Sequence, residues 1–452
     1  MISSYSPQQP KDLVVEVPAT APDEVAVAFE NARTAQREWS AGPAAARAGA
    51  LNAMADAVAG AAGELADLVV REVGKPVLEA RGEVGRSVAI LRYYAQQVFD
   101  PIGAVHEPSA QGLLFTSRRP LGVAGLITPW NFPLAIPLWK AAPALAFGNG
   151  AVLKPAPEST ACALRLAELF APLLADGLFA VLPGEAETGQ AVVAHADVIS
   201  FTGSGAGGRA VARAAGERGV RVQAEMGGQS PTIVLPDADL GAVAGQIAAA
   251  AMGFAGQKCT STKRVVVVGD AAEFRDTFVA AVEALVVGDP AATETTVGPL
   301  ISEAARDRVV DVARSAVDAG GRVLTGGGVP DSDGWFVAPT VVESVPSDHV
   351  LACDEVFGPI CLLQTAPDLD QAIAVANAVP AGLAAAVYTR DLATSLQAAQ
   401  RLDAGLVKVN APTTGVDFYL PFGGEKASSL GGREQGKAAQ DFYTSTRTIT
   451  IT

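Results

Sequence analysis

The sequence predicts an α/β fold in which helices cover parallel sheets. Short β-type runs bounded by Gly and Pro, such as GAVLKP (150–155) and ADVISFTGS (196–204), alternate with helical segments such as STACALRLAELFAPLL (159–174). Strands that alternate with helices in this way form βαβ units, whose strands are parallel. The chain has 452 residues, more than one hydrophobic core can serve, so we expect two or three domains of roughly 100–200 residues each.

The first part of the chain, from Ala21 to about Val98, is Ala-rich with apolar residues at spacings of three and four, which predicts amphipathic surface helices. The stretch from Leu121 to Trp139 carries no charge and is long enough to cross a bilayer. Pro129, Pro133 and Pro137 would interrupt a helix there. We therefore predict a buried strand, a loop and the start of a helix in this stretch.

The alternation of strands and helices starts again after Cys259. The predicted strands are KRVVVVGD (263–270), PICLLQT (359–365) and AAAVYT (384–389), the predicted helix is AEFRDTFVAAVEAL (272–285), and GGRVLTGGG (320–328) is a predicted Gly-rich turn region. The last segment, TSTRTITIT (444–452), alternates Thr with other residues and suits an edge strand that pairs outside its own domain. These segments predict a second α/β domain.

The composition disfavours several classes of partner. The formal net charge is −15 and the sequence pI is about 4.7, so the average field repels nucleic acid and anionic membrane surfaces. The four cysteines form no CxxC pair and the three histidines match no ligand spacing, so we expect no metal site. The N-terminus has no basic region followed by an apolar run, so we expect a cytoplasmic protein with reduced thiols.

A Gly-rich turn between a predicted strand and a predicted helix could bind phosphate. Gly203, Gly205 and Gly208 form a GxGxxG pattern. Glycines allow close approach of the backbone, and the helix N-terminus supplies oriented N–H groups for a pyrophosphate. Such turns are also common in α/β folds without a ligand, so both interpretations stay open here.

Three further positions could carry covalent or acid–base chemistry. Cys259 lies beside Lys258 in GFAGQKCTSTKR; cationic groups can activate a thiol, but a single cysteine is more often buried and inert. Glu225 in EMGGQSP precedes two glycines that could leave space beside its carboxylate, although most glutamates are solvated surface charges. Asn131 in PWNFP could donate to an oxyanion or be an ordinary turn residue.

These segments occur together with three others, in one order, across nearly the whole chain. The series is TPWNFP (128–133), LKPAPEST (153–160), FTGS (201–204), EMGGQSP (225–231), GQKC (256–259), EVFGP (355–359) and PFGGEKASSLGGREQG (421–436). With these motifs the sequence resembles the aldehyde dehydrogenase superfamily, and it looks most like the 2,5-dioxovalerate (α-ketoglutaric semialdehyde) dehydrogenases. The resemblance implies NAD(P)-dependent oxidation of an aldehyde, such as a semialdehyde, to the free carboxylate.

The resemblance also implies roles for the candidate residues. Cys259 would form a hemithioacetal and then a thioester with the aldehyde carbon. Asn131, together with the Cys259 backbone N–H, would stabilise the oxyanion, and Glu225 would activate the water that releases the acid. Coenzyme-A-acylating relatives generally lack this glutamate, so its presence favours the non-acylating reaction. Lys154 would be a further residue of the active centre, where it reaches the adenine ribose.

A set of cofactor-binding residues follows from the same resemblance. Gly203 and Ser204 would form the pyrophosphate turn, and Glu355 with Phe357 would hold the nicotinamide ribose. Many NAD-preferring members have a carboxylate three residues after the lysine, where this chain has Pro157, so NAD and NADP both stay open. The full set expected at the cofactor is Thr128, Pro129, Trp130, Lys154, Pro157, Gly184, Phe201, Gly203, Ser204, Gly227, Glu355 and Phe357.

For the substrate we expect a tunnel lined by aromatic side chains, which supply much of the apolar area in small-molecule pockets. The expected residues are Trp139, Phe254, Phe418 and Tyr419. An anionic semialdehyde would need a cation there, which the sequence does not identify; Gly253 and Trp139 stand near positions where succinic semialdehyde dehydrogenases often have arginine. A broad-specificity or aromatic aldehyde dehydrogenase, and a non-catalytic protein that retains the fold, are the alternatives.

The architecture of the family divides the chain into three parts. Residues 1–98 and 121–227 would form a Rossmann-type cofactor-binding domain, and 228–425 an α/β catalytic domain. Residues 99–120 and 426–452 would be bridging segments that form a small β oligomerisation extension. A homodimer or homotetramer is therefore expected, with a small-molecule aldehyde as substrate and no nucleic acid or membrane partner.

Overall fold

The computed structural model describes residues 1–452 and contains the alternation of strands and helices expected for an α/β protein. The strands are β1 (Ile2–Ser6), β2 (Gln9–Val17), β3 (Val105–His106), β4 (Leu113–Pro120), β5 (Val123–Ile127), β6 (Gly150–Lys154), β7 (Phe179–Val181), β8 (Val198–Thr202), β9 (Arg221–Glu225), β10 (Pro231–Val234), β11 (Arg264–Val268), β12 (Arg322–Thr325), β13 (Thr340–Glu343), β14 (Ile360–Ala366), β15 (Ala381–Gly382), β16 (Ala384–Tyr388), β17 (Leu406–Val409), β18 (Glu425–Lys426), β19 (Ser429–Leu430) and β20 (Thr444–Ile451). The helices are α1 (Pro22–Ala41), α2 (Ala44–Gly60), α3 (Ala62–Val73), α4 (Val77–Gln97), α5 (Ala135–Ala146), α6 (Thr160–Phe170), α7 (Ala186–His195), α8 (Gly205–Glu217), α9 (Leu240–Met252), α10 (Ala272–Glu283), α11 (Glu303–Asp318), α12 (Val350–Cys353), α13 (Leu369–Asn377), α14 (Leu392–Arg401) and α15 (Ala438–Tyr443).

The first large sheet has six strands in the order β19-β9-β8-β5-β6-β7. Its neighbours are parallel except β19, which pairs antiparallel with β9. Alternate residues of β5 enter two different cores: Ala124 and Leu126 pack with α2–α6, whereas Val123 and Ile127 pack with α1 and α7. Because a strand points successive side chains to opposite faces, this sheet is covered on both faces, which is why its strands read as continuous apolar runs.

The second large sheet has seven strands in the order β12-β13-β14-β11-β10-β16-β17. All its neighbours are parallel except β12 with β13. Val265 and Val267 of β11 pack with α9, α10 and α11, and Val266 and Val268 pack with α13 and α14. The α/β fold class and the second round of alternation are therefore confirmed.

A third, smaller sheet joins the two segments that we expected to bridge. β20 pairs antiparallel with β4 along its whole length, and β3 pairs with the other side of β4. Segments 99–120 and 426–452 thus contribute strands to one sheet, in which β20 is an edge strand as predicted. Leu113 and Ile451, which pair with each other, are both exposed.

The charge-free stretch from Leu121 to Trp139 forms a buried strand, a loop and the first turn of a helix, as predicted. Pro137 is the third residue of α5, where the backbone N–H has no partner within the helix, so the ring costs no hydrogen bond. None of the helices combines the length and the apolar character that crossing a bilayer requires.

Two strand regions differ from the prediction. The Gly-rich segment 320–328 is not only a turn, because Arg322–Thr325 forms β12 and pairs with β13 between the flanking glycines. For residues 2–17 we made no secondary-structure prediction; they form the antiparallel hairpin β1–β2. In β2 few side chains are buried, so its sequence lacks the apolar alternation that marks a half-buried strand.

Candidate active site

The candidate residues meet between the carboxyl edge of the first sheet and the amino edge of the second. Lys154 is the last residue of β6 and Glu225 the last of β9, whereas Cys259 precedes β11. The chain runs directly from one sheet to the other through Gly227, where a Cβ atom would overlap the carboxylate of Glu355. A Cβ atom on the next residue, Gly228, would lie 3.1 Å from the carbonyl oxygen of Cys259. These glycines are required for close packing between the two edges.

The loop that presents Cys259 is held in a strained conformation. α9 ends at Met252, and the next residues include Phe254, Ala255 and Gly256, with φ angles of 53°, 51° and 62°. Left-handed backbone costs a residue with a Cβ about 1–2 kcal/mol, so other contacts must hold it. Lys263 supplies two of them, because its Nζ donates to the carbonyl oxygens of Gly256 at 2.6 Å and Gly358 at 2.8 Å. The nucleophile candidate therefore sits on a rigid loop.

The environment of Cys259 keeps its thiol protonated. Burial raises the pKa of the thiol to about 12, and the negative charges of Glu355 and Glu225 contribute. Lys258, the cationic neighbour in sequence, does not activate it: its Nζ pairs with Oε2 of Glu79 on α4 at 2.6 Å. A base must therefore take the thiol proton before the sulfur can attack a carbonyl carbon.

Asn131 is tied to the same loop as Cys259. Its buried side chain donates from Nδ2 to the carbonyl oxygen of Gln257 at 2.9 Å, two residues before the cysteine. The carbonyl partner identifies the donor as the amide nitrogen, which has a second N–H group. Behind Asn131, the Glu83 carboxylate accepts from the backbone N–H groups of Leu134 at 2.9 Å and Ala135 at 3.0 Å. The start of α5 is thereby fixed relative to α4.

Glu225 is a buried carboxyl group without a cationic partner in contact. The hydroxyl of Ser429 donates to Oε2, and the buried Oε1 has no partner. Burial raises the pKa of the Glu225 carboxyl well above its ordinary value, and the negative charge of Glu434 adds to the effect. Glu434 in turn pairs with Lys140, and accepts from the hydroxyl of Ser200 at 3.0 Å. A carboxyl group with a raised pKa in a polar network can act as a general base near neutral pH.

Three of these polar neighbours were not predicted. Ser429 and Glu434 lie within the segment PFGGEKASSLGGREQG, so the motif was visible but the pairing was not. Lys140 lies in the helix after PWNFP, and 294 residues separate it from Glu434. Only the folded chain shows that both approach Glu225.

Lys154, the residue that we expect to reach the adenine ribose, is buried at the end of β6. Its Nζ donates to the carbonyl oxygens of Pro155 and Gly184, both at 2.6 Å. Burial lowers the pKa of Lys154 to about 8, although the charges of Glu158 and Glu185 oppose this. Pro157 begins a 3₁₀ turn, so the carboxylate near the lysine belongs to the next residue, Glu158.

The Gly-rich turn joins β8 to α8 as predicted. The Ser204 side chain caps the helix by accepting from the Gly207 N–H at 3.2 Å. A Cβ atom on Gly203 would lie 2.7 Å from the Phe201 ring, so glycine is needed there. The N-terminus of α8 therefore opens onto a turn that a side chain cannot fill, a geometry that suits a phosphate group.

Several polar groups around the expected nicotinamide end lack partners. Thr128 Oγ1 and Glu355 Oε1 are buried without a hydrogen bond, and burial raises the pKa of Glu355 to about 7 while the charge of Lys263 opposes it. Trp130, preceded by Pro129, contacts the Phe357 ring edge-on at a centroid distance of 5.8 Å. Unpartnered oxygen atoms beside aromatic rings fit a ligand that has both hydroxyl groups and a flat ring.

The four expected tunnel residues make different aromatic contacts, although Trp139 and Phe254 belong to one buried core against which Phe418 packs. Trp139 packs against Phe422, with ring centroids 5.8 Å apart, and its Nε1 has no partner. Phe418 contacts Tyr93 of α4 at 5.8 Å, next to Tyr419, which is half-exposed.

Phe254 has an exposed fraction of 0%. It packs against Trp130, with ring centroids 6.3 Å apart, and the Lys75 Nζ lies 4.8 Å from its ring. The ring is thus packed between Trp130 and Lys75, and its role as a wall of the substrate tunnel stays a prediction. Phe422, which we did not predict, joins Trp139 and precedes Gly423, where a Cβ atom would lie 2.9 Å from Oε1 of Glu225.

Comparisons with known proteins show the family to which the chain belongs. The model of the aldehyde dehydrogenase family matches residues 1–449, so the chain belongs to that family. It is 36% identical to an alpha-ketoglutaric semialdehyde dehydrogenase from Bacillus subtilis, over 100% of this chain and 94% of the relative.

Solved structures show the same fold. An NAD-dependent aldehyde dehydrogenase from Sinorhizobium meliloti superimposes with a TM-score of 0.96 at 34% identity, covering 100% of this chain and 91% of that one. The glyceraldehyde-3-phosphate dehydrogenase GapN from Methanocaldococcus jannaschii, complexed with NADP, has a TM-score of 0.94 at 32% identity, covering 100% of this chain and 99% of that one. The expected fold and the expected enzyme class, an aldehyde dehydrogenase, are confirmed.

Proposed function

We propose that this chain oxidises an aldehyde to the free carboxylate through a thioester on Cys259, with Asn131 as oxyanion donor and Glu225 as general base. The hydrogen bond from Asn131 to the carbonyl of Gln257 carries the proposal. It fixes the amide relative to the cysteine loop and leaves its second N–H for a ligand. Donor and nucleophile are thus preorganised, which is the main requirement for stabilising an oxyanion.

The first step forms a carbon–sulfur bond. Glu225 takes the proton of the Cys259 thiol, directly or through one water, and the sulfur attacks the carbonyl carbon. The electron pair of the C=O bond moves to oxygen, which the Asn131 N–H and the Cys259 backbone N–H stabilise. A base is needed because the pKa of the thiol is about 12.

The cofactor is NAD or NADP, held by the residues around Lys154, Gly203 and Glu355. When bound, NAD or NADP would supply a hydride acceptor, and loss of a hydride from the hemithioacetal would leave Cys259 as a thioester. The absence of a carboxylate at Pro157 would favour NADP, whereas Glu158 supplies a negative charge close by. Solved relatives that use NAD and NADP are both similar to this chain.

The last step consumes water. The proton that Glu225 took from the thiol first passes to solvent. The unprotonated carboxylate then takes a proton from a water molecule, whose oxygen adds to the thioester carbon. The carbon–sulfur bond then breaks, the acid leaves, and the sulfur is protonated again. A general base in this position makes water the acceptor of the acyl group, in place of coenzyme A.

We propose a semialdehyde such as 2,5-dioxovalerate as the substrate, on the strength of the relative from Bacillus subtilis. A broad-specificity or aromatic aldehyde dehydrogenase is the second candidate, since Trp139 packs against Phe422, whose neighbour Gly423 closely approaches the Glu225 carboxyl group. A cytoplasmic homodimer or homotetramer completes the proposal, with the exposed edge strand β20 as the contact. Light scattering of the purified protein would measure its mass directly.

The decisive experiment is reduced-cofactor formation by wild type, Cys259→Ala and the control Cys353→Ala. Cys353 is also a free, partly exposed thiol, but it donates to the carbonyl of His349 and has no assigned role. We expect turnover in wild type and control and none in Cys259→Ala. The aldehydes are 2,5-dioxovalerate, succinic semialdehyde and benzaldehyde, each with NAD and NADP. Turnover that survives in Cys259→Ala contradicts the covalent mechanism, and no turnover in wild type contradicts the proposed activity and favours a non-catalytic protein.

A further inference from the structure

Arg86 on α4 is a partly buried arginine without a hydrogen bond or an ion pair inside the chain. The other arginines that the fold removes partly or fully from solvent all donate to carboxylate, hydroxyl or carbonyl oxygens. They are Arg33, Arg47, Arg118, Arg165, Arg264, Arg275, Arg306 and Arg433. No nitrogen of the Arg86 side chain is fully buried, so its N–H groups are accessible to a ligand and are not used by the protein itself.

The position of Arg86 on α4 places it beside the active-site loops. Glu79 pairs with Lys258, the residue before Cys259, and Glu83 accepts from the backbone N–H groups of Leu134 and Ala135. Further along the same helix, Tyr93 packs against Phe418. At 100° per residue, Glu79, Glu83, Arg86 and Tyr93 lie within an arc of about 80°. Arg86 therefore shares the helix face that contacts the loops of Cys259, Asn131 and Phe418.

The charges on this face leave one positive charge uncompensated. Lys75 pairs with Glu83, and Lys258 with Glu79. The remaining charged groups are Arg86, Lys408 and Asp417. Lys408 holds the late loop, because its Nζ donates to the carbonyl oxygens of Thr414 at 3.0 Å and Gly415.

Asp417 faces Arg86 without forming an ion pair. Burial lowers the pKa of the Arg86 guanidinium, while the charges of Glu83 and Asp417 oppose the shift. Arginine stays charged at any physiological pH. With Lys408 on the same side, the three groups carry a net positive charge of one, which suits a single carboxylate.

We propose that Arg86 binds the far carboxylate of an anionic aldehyde and thereby selects ω-carboxylated aldehydes as substrates of Cys259. This inference rests on the proposed function. The planar guanidinium matches a carboxylate with two parallel hydrogen bonds. Arg86 is about 10 Å along the helix axis from Glu79, which pairs with the residue before Cys259, so the proposed substrate carries its carboxylate at the end opposite the aldehyde group. This residue supplies the cation that the sequence alone did not identify.

The test compares carboxylated and neutral aldehydes in matched variants. Arg86→Gln removes the charge, and Arg86→Lys keeps the charge but not the two parallel N–H donors of the guanidinium group. Arg81→Gln, which changes an exposed arginine of the same helix, is the control. For 2,5-dioxovalerate we expect kcat/KM to fall about 10- to 100-fold in Arg86→Gln, mainly through KM, with partial recovery in Arg86→Lys. For pentanal, which has the same number of carbon atoms but is neutral, kcat/KM should change less than about threefold in every variant, because pentanal makes no charged hydrogen bond.

Each other outcome contradicts a defined part of the inference. Equal losses for pentanal and 2,5-dioxovalerate in Arg86→Gln would indicate a structural role. Wild type that oxidises pentanal but no carboxylated aldehyde would refute the anchor and leave the proposed chemistry of Cys259 intact. If wild type oxidises neither, the proposed function fails, and calorimetry with glutarate still tests Arg86: binding to wild type but not to Arg86→Gln supports the site, and no binding overturns it.

Discussion

In each of the two large sheets, a buried glutamate is the last residue of a strand at the carboxyl edge. One of these glutamates contacts cationic side chains, and the other does not. Glu343, the last residue of β13, accepts from Arg275 Nε at 2.8 Å and from Arg322 Nε at 2.9 Å. Burial raises the pKa of the Glu343 carboxyl, but the hydrogen bonds from the two arginines outweigh it and leave the pKa below its usual value. Glu225, the last residue of β9, accepts only from the Ser429 hydroxyl, and its pKa is raised.

The difference separates a structural carboxylate from the one that we propose is catalytic. A carboxylate held by two guanidinium groups is stable as an anion and has little tendency to take a proton. A buried carboxyl group without a cation in contact keeps that tendency, at a cost in stability that a functional site can tolerate. The same residue type at the same end of a strand thus acquires different chemistry from its neighbours.

The two sheets also differ in the edge that carries the site. In the first sheet, Lys154 and Glu225 lie at the carboxyl ends of parallel strands, where ligands of open α/β sheets usually bind. In the second, Cys259 and Glu355 precede their strands, at the amino edge. The rule that ligands bind at the carboxyl ends of parallel strands therefore predicts the position of Lys154 and Glu225, but not that of Cys259, the proposed nucleophile.

The largest expected effect is a loss of turnover on substitution of Glu225 but not of Glu343. In Glu225→Gln the water-activating base is lost, so steady-state turnover should fall about 100- to 10,000-fold. Because Glu225 is also the proposed base for the Cys259 thiol, formation of the thioester should slow as well, and rapid mixing should detect no fast release of reduced cofactor ahead of the steady state. Glu343→Gln is the matched control and should keep wild-type turnover. Equal losses in both variants would mean that Glu225 acts through stability.

Features of this site that depend on neighbouring residues in the sequence could be predicted. Features that depend on residues brought together by folding could not. Local patterns predicted the strand–loop–helix around Asn131 and the turn at Gly203, because turn chemistry and apolar runs are local properties. The family motifs marked Cys259 and Glu225, but not their electrostatics. The pairing of Lys140 with Glu434 and the unpaired state of Arg86 arise from tertiary packing, which no local pattern records. The full burial of Phe254 against Trp130 is likewise a tertiary property that no local pattern records.

The second prediction concerns pH and tests whether charge near Glu225 tunes its basicity. Glu434→Gln removes a negative charge that raises the pKa of Glu225, and Lys140→Met removes a positive charge that lowers it. Because only unprotonated Glu225 is a base, the acid limb of kcat against pH should move to lower pH in Glu434→Gln and to higher pH in Lys140→Met.

Both variants break the same buried ion pair, which should cost each about 3–5 kcal/mol of folding free energy. Thermal unfolding would measure this loss, and the assays are run below the lowered melting temperature. Opposite shifts of the acid limb cannot come from a shared loss of stability. Shifts in the same direction in both variants would contradict the electrostatic explanation.

The smallest expected effect belongs to Glu343, whose contribution is to stability alone. Glu343→Gln weakens the three charge-assisted hydrogen bonds from Arg275 and Arg322, and because Arg322 is largely exposed, the loss should be about 1–2 kcal/mol. The folded-state pKa of Glu343 lies below its unfolded value, so its contribution is present above the unfolded pKa and is lost as the pH falls through the folded one. Denaturant unfolding at pH 7 should therefore show the difference between wild type and Glu343→Gln, and the two should converge in acid. A difference that is constant with pH would mean that Glu343 acts through packing, and a loss of turnover would show that the carboxyl edge of the second sheet is not purely structural.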